Sequence, residues 1–189
     1  MKRRPLNLML SLVAIVILFV FLTYAQRNFN AYILRIMNLC AVYIILSVSL
    51  NLINGFTGQF SLGHAGFMAV GAYATAILTI SPELKVKMYF ITPIISPLAK
   101  IAISFLPALI IGGLLSALCG FIIGVPTLRL KGDYLAVATL GFSEIIRVVF
   151  TNITSVTNGA LGLKDIPAYT NLYWSWGWAV FTIFFIKRL

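Results

Sequence analysis

Residues 51–80 read NLINGFTGQFSLGHAGFMAVGAYATAILTI, and this stretch decides how the rest of the chain is read. Its first part is polar and glycine-rich, with Asn54, Gly55, Thr57, Gly58, Gln59, Ser61, Gly63 and His64. Its second part turns apolar but stays built of small residues. Long apolar runs flank it on both sides, and runs of that kind are membrane spans. Polar, flexible backbone at membrane depth is tolerated only where it is buried in protein or lines a wet cavity. The segment therefore predicts a glycine-broken or re-entrant lead-in to a span.

Composition supports a membrane setting throughout. The chain has 189 residues, of which 61% are hydrophobic and 10% charged, with a mean hydropathy of +1.02. Soluble domains hold roughly 45–50% apolar and about 25% charged residues. Fourteen bases against four acids give a net charge of +10. The bases sit singly or in twos and threes at the ends of apolar runs. They read as lipid-headgroup anchors and topology signals, not as a nucleic-acid surface, because no continuous basic face exists.

Working outward, residues 6–25 form an uncharged run of 20, the length a spanning helix needs. Lys2, Arg3 and Arg4 ahead of it place the N-terminus in the cytoplasm by the positive-inside rule. No small-residue cleavage motif follows, so the run is read as a retained span and not as a signal peptide. Further spans are expected over 32–53, 62–80, 101–125, 134–152 and 172–186, giving an all-α polytopic bundle of about five to six spans in a single transmembrane domain. Arg35 can snorkel outward from the second span. Residues 81–100 form a loop whose apolar middle, 88–95, suits the interface. Pro107 is expected to kink the fourth span and Pro126 to end it. Trp174, Trp176 and Trp178 suit a membrane interface.

Two ridges of small side chains stand out. Ser61, Ala65, Ala69, Ala72 and Ala76 recur at helical steps, and Gly112, Ser116, Gly120 and Gly124 recur every four residues. Such ridges let helices approach closely within a bilayer, so both are expected to be helix-packing surfaces.

Candidates for chemistry are few. No nucleophile–base set stands out, and no GxxxxGK[ST] phosphate loop occurs. The single histidine has no metal-ligand spacing around it, and Cys40 and Cys119 lie inside apolar runs as small hydrophobes. An enzyme is therefore not expected, nor a metal or other cofactor. The pathway or gating candidates are Asn54, Gly55, Gly58, Gln59, Ser61 and His64 in the lead-in, with Glu144 and Arg147 in the fifth span. His64 alone reads sooner as a packing residue satisfied between helices. Glu144 and Arg147 lie at i,i+3 on one helix face and can pair, either as a structural clamp or as part of a pathway, since ionisable groups inside a span face the bundle interior or a cavity.

Three blocks then carry a resemblance: GFTGQFSLGHAGFMAVGAYATAIL, LRLKGDYLAVATLGFSEIIRVVF and TNGALGLKDIP, in that order from 55 to 167. The chain resembles the branched-chain amino acid ABC transporter permease family of the LivM type, with 132–147 the most specific block. The resemblance implies a bacterial or archaeal plasma-membrane permease that pairs with a second, related permease subunit of the LivH type. It implies two cytoplasmic ATP-binding subunits that hydrolyse ATP, and a periplasmic or extracellular solute-binding protein delivering leucine, isoleucine or valine. Related permeases carry other small polar solutes. The chain ends where the family's ATPase-docking loop is expected, so it looks like the N-terminal portion of such a permease. Two rival readings stay open: an ion-coupled secondary transporter, which the broken segment and Glu144 would suit, and a non-transporting membrane scaffold. An ATPase-docking loop downstream would rule out the first, and pull-down without uptake would support the second.

Overall fold

The computed structural model describes residues 3–90 and 92–188. The described residues are helical with no strand: α1 (Arg3–Asn28), α2 (Ala31–Asn51), α3 (His64–Thr79), α4 (Pro82–Met88), α5 (Ser96–Lys100), α6 (Phe105–Thr127), α7 (Asp133–Asn152), α8 (Thr154–Thr157) and α9 (Leu172–Arg188). The polytopic helical bundle expected from the apolar runs is what forms. Among the described residues, three helices are long and apolar enough to cross a membrane: Ala31–Phe56, Phe105–Thr127 and Asp133–Asn152. The pair α3 and α4 adds a broken element, bent by 116°. Lys2, one base of the N-terminal triplet, lies outside the described residues.

The break before α3 has a definite form. After Asn51 the chain relaxes into a π-helical turn, Leu52–Phe56. Thr57 N donates to Leu52 O at 3.3 Å, a bond one residue longer than the α pattern. Gly58 then takes φ +65°, a left-handed conformation glycine adopts without steric penalty. Regular helix resumes only at His64.

The chain divides into two compact units, residues 1–49 with 170–189, and residues 50–169. In the first, Leu22 and Ala25 of α1 bury against Leu172 of α9, with Leu34 and Met37 of α2 and Trp176 packed around them. Phe19 and Tyr173 hold their ring centroids 5.4 Å apart. Along an exposed side of α9, Trp178 meets Phe181 edge to face at 5.5 Å and Phe181 stacks on Phe185 at 6.1 Å.

In the second unit α3 lies between α6 and α7, and glycine permits both approaches. Phe67, Gly71 and Thr75 face α6. Ser116 Oγ donates to Phe67 O at 2.7 Å, and Thr75 Oγ1 to Gly71 O at 2.8 Å. A Cβ on Gly112 would sit 2.8 Å from Gly71 O and 2.2 Å from Thr75 Oγ1. Gly63 and Gly66 face α7, where an added Cβ would come within 2.9 Å of Thr139 O and 3.0 Å of Ser143 Cα. Tyr73 and Phe150 close this seam edge to face at 4.9 Å.

Pro107 sits in the first turn of α6, where no intrahelical N–H bond is required, and Pro126 sits within one residue of its end, where it is expected to stop the helix. There Thr127 Oγ1 donates to Ile123 O at 2.8 Å, and Leu128 N to Gly124 O at 2.8 Å.

At the end of this unit that receives the C-termini of α3 and α7, the two loops form one platform. Ile95 N donates to Ser155 O at 3.4 Å, and the Tyr89 hydroxyl donates to Val156 O. Tyr169 Oη donates to Thr79 O at 3.1 Å. Lys85 is buried at 1% exposure, and its Nζ donates to Leu98 O at 2.9 Å and Ile101 O at 2.6 Å. Burial holds this ammonium below the ordinary lysine value.

Burial, with a further contribution from Tyr73, pushes the Tyr89 phenol up to about 12 from its usual 10.0. A raised folded-state value means that the contribution to stability is complete below pH 10 and is lost as pH rises through 12. Spectrophotometric titration of the phenols should therefore show one late-ionising tyrosine. Tyr89→Phe should remove it and reduce the loss of stability over that window, and an unchanged titration curve would refute the assignment.

Candidate functional site

The polar lead-in is anchored to α7. Asn54 Oδ1 accepts from Ser61 N at 3.2 Å, closing the turn on itself. Leu62 N donates to Thr139 Oγ1 at 3.0 Å, while Thr139 Oγ1 itself donates to Ala136 O at 3.0 Å. Thr139 thus supplies a partner for a backbone group that the irregular segment leaves without a helical one. Asn54, Gln59, Ser61 and His64 are half-buried, and Gly55 and Gly58 are exposed.

Farther along the same seam stands the ion pair. Arg147 Nε donates to Glu144 Oε2 at 2.8 Å, with side-chain exposures of 69% and 52%. Glu144 lies about 15 Å along α7 from Tyr134 by helical rise, so the pair is carried on the middle of a helix long enough to span. Beside it runs an open groove of about 240 Å³. Ala65, Gly66, Ala69 and Tyr73 of α3 form one wall, and Ser143, Ile146, Phe150 and Thr151 of α7 form the other.

Of the first ridge, Ala65 and Ala72 are exposed, and Ala69 and Ala76 are half-buried along groove walls. Of the second, Gly112 is buried and Ser116 bonds to α3. Gly120 comes only within 4.0 Å of Phe67 Cε1, and Gly124 has open space where a Cβ would go. Sequence reasoning passed over Thr139, Tyr73 and Ser143. Gly63, Gly66 and Tyr73 share a helical spacing, and that signal could have found the seam.

This helical chain, with its glycine-broken lead-in docked on a charge-bearing span, can be set beside known proteins. Residues 32–186 match the family model described as branched-chain amino acid transport system / permease component. The chain belongs to this family. It is 39% identical over 157 residues to the high-affinity branched-chain amino acid transport system permease protein LivM of Escherichia coli, covering 79% of this chain and 32% of that protein. The LivM protein of Salmonella typhimurium is likewise 39% identical, over 151 residues, covering 76% of this chain and 31% of its own length. A probable branched-chain amino acid transport permease protein LivM of Methanocaldococcus jannaschii is 28% identical over 167 residues, covering 78% and 48%. The chain thus spans about a third of the two bacterial relatives and about half of the archaeal one. No solved structure matches it. Membership and apolar helices together make this a multi-pass membrane protein.

Proposed function

We propose that this chain is part of the permease of an ABC importer, contributing to a translocation path for branched-chain amino acids or similar small polar solutes. Its partners are a second related permease subunit, two cytoplasmic ATP-binding subunits that supply the energy, and an extracytoplasmic solute-binding protein. The N-terminus is cytoplasmic in this reading, which puts the platform of the two loops on the outer face. The observation that carries the proposal is the α3–α7 seam. A polar, irregular segment and a charged pair both lie along one helix that is long and apolar enough to span. Ionisable groups in such a place face protein or a wet cavity and mark solute or ion pathways by default. Family membership and the LivM relatives supply the class of solute.

The test is Glu144→Gln in the full transporter. Uptake of labelled leucine, isoleucine or valine should fall by about tenfold or more, the scale of losing a charge-assisted contact, while the amount in the membrane holds. A fall in membrane level instead would assign the pair to structure. Unchanged level and unchanged uptake would remove Glu144 from the path.

A further inference from the structure

The way Glu144 and Arg147 meet leaves much of their hydrogen-bonding capacity open. The contact is made by Nε of the arginine and Oε2 of the glutamate. Among the described residues, no partner meets the two terminal nitrogens of Arg147 or Oε1 of Glu144. One cationic fork and one anionic oxygen therefore stand side by side, both open, at mid-helix. A guanidinium fork matches a carboxylate bidentately. A carboxylate oxygen accepts from an ammonium. The two together complement a zwitterion, and no group of single charge satisfies both.

The groove beside them has the complementary character. Its walls from Ala65, Ala69, Ile146 and Phe150 are apolar, and Ser143 is a polar residue on the α7 wall. At about 240 Å³ it falls below the roughly 300 Å³ at which sites for drug-sized ligands begin. That suits a solute the size of one amino acid. Gly66 sets its floor, because a Cβ there would meet Ser143 and Ile146 at 3.0–3.1 Å.

We propose that this groove is a zwitterion-binding station. The α-carboxylate of an aliphatic amino acid docks on the terminal nitrogens of Arg147, its α-ammonium on Glu144 Oε1, and its side chain along Ala65, Ala69 and Phe150. The inference rests on the branched-chain reading above and assigns the solute's contacts within it.

Binding of radiolabelled leucine to membranes from cells making the full transporter, with the solute-binding protein omitted, tests it. Leucine and isoleucine should compete. Leucinamide, which lacks the carboxylate, and 4-methylpentanoate, which lacks the ammonium, should not. Arg147→Gln should weaken binding by about tenfold or more. Ala69→Leu, which fills the groove and leaves the pair alone, should weaken it comparably and decides the matter if Arg147→Gln fails to accumulate. Equal competition by leucinamide, variant affinities within about twofold of wild type, or leucine uptake without saturable binding would overturn the station. A wild-type transporter that takes up no branched-chain amino acid would overturn the functional reading instead.

Discussion

Gly112→Ala should destabilise the α3–α6 pair by about 3 kcal/mol, toward or beyond the upper end of overpacking costs, while Gly113→Ala one position on should be neutral or slightly stabilising. The contrast follows from what each new methyl meets. At Gly112 it would lie 2.8 Å from the backbone oxygen of Gly71 and 2.2 Å from Thr75 Oγ1. The hydroxyl cannot swing away freely, because it donates to Gly71 O at 2.8 Å and lies 3.4 Å from Ala108 O. The helices must separate, and Ser116 Oγ then draws away from Phe67 O. At Gly113 nothing lies within 4 Å, so alanine recovers only the backbone entropy that glycine gives up in a helix, about 0.5–1 kcal/mol. Unfolding of the purified protein in a denaturing detergent series would measure both. Equal effects from the two substitutions would refute the close approach.

The second large effect is expected at Lys85. Lys85→Met keeps the aliphatic stem and removes the ammonium that holds Leu98 O and Ile101 O. Hydrogen bonds from a charged donor are worth about 1.5–3 kcal/mol each. Loss of both should loosen the platform locally by about 3 kcal/mol or more. Amide exchange over residues 96–104 should quicken by about a hundredfold on that scale, with α3 and α6 little changed. Lys87→Met is the control, because Lys87 is exposed and on the same short helix. If the two variants exchange alike, the buried lysine is not what joins α4 to α5 and the residue after it.

Much of the fold was legible because bilayer physics leaves few choices. Uncharged runs of spanning length must be helices, and a glycine-rich polar stretch between two of them must break the helix. Gly58 and the π-helical turn before it realise that break. The packing faces were harder to read. Spacing identifies residues that share a face and leaves open which neighbour that face meets. Ala65 and Ala72 share a face that lies open, whereas the contact with α6 runs through Phe67, Gly71 and Thr75. Glycine was the better guide than alanine, because only glycine yields the sub-3 Å approaches at Gly63 and Gly112. At the site, the i,i+3 spacing was enough to suggest that Glu144 and Arg147 meet. The groove beside them required α3 and α7 to be brought together, a long-range contact that no local pattern encodes. Lys85 lies in the stretch expected as a loop, and its burial depends on a chain reversal 13 residues downstream.

The brevity of α3 has a consequence for the lipid around it. Its 16 residues rise about 24 Å, against about 30 Å of hydrocarbon in an ordinary bilayer. In the proposed reading, with α3 crossing the bilayer, the shortfall is met by residues 58–63, which lie outside any helix, or by thinning of the bilayer beside them. On that reading acyl-chain length acts directly on this segment. Thicker membranes draw its polar groups against the fatty tails, thinner ones relieve them, and hydrophobic mismatch becomes a control on the part of the molecule that is least regular.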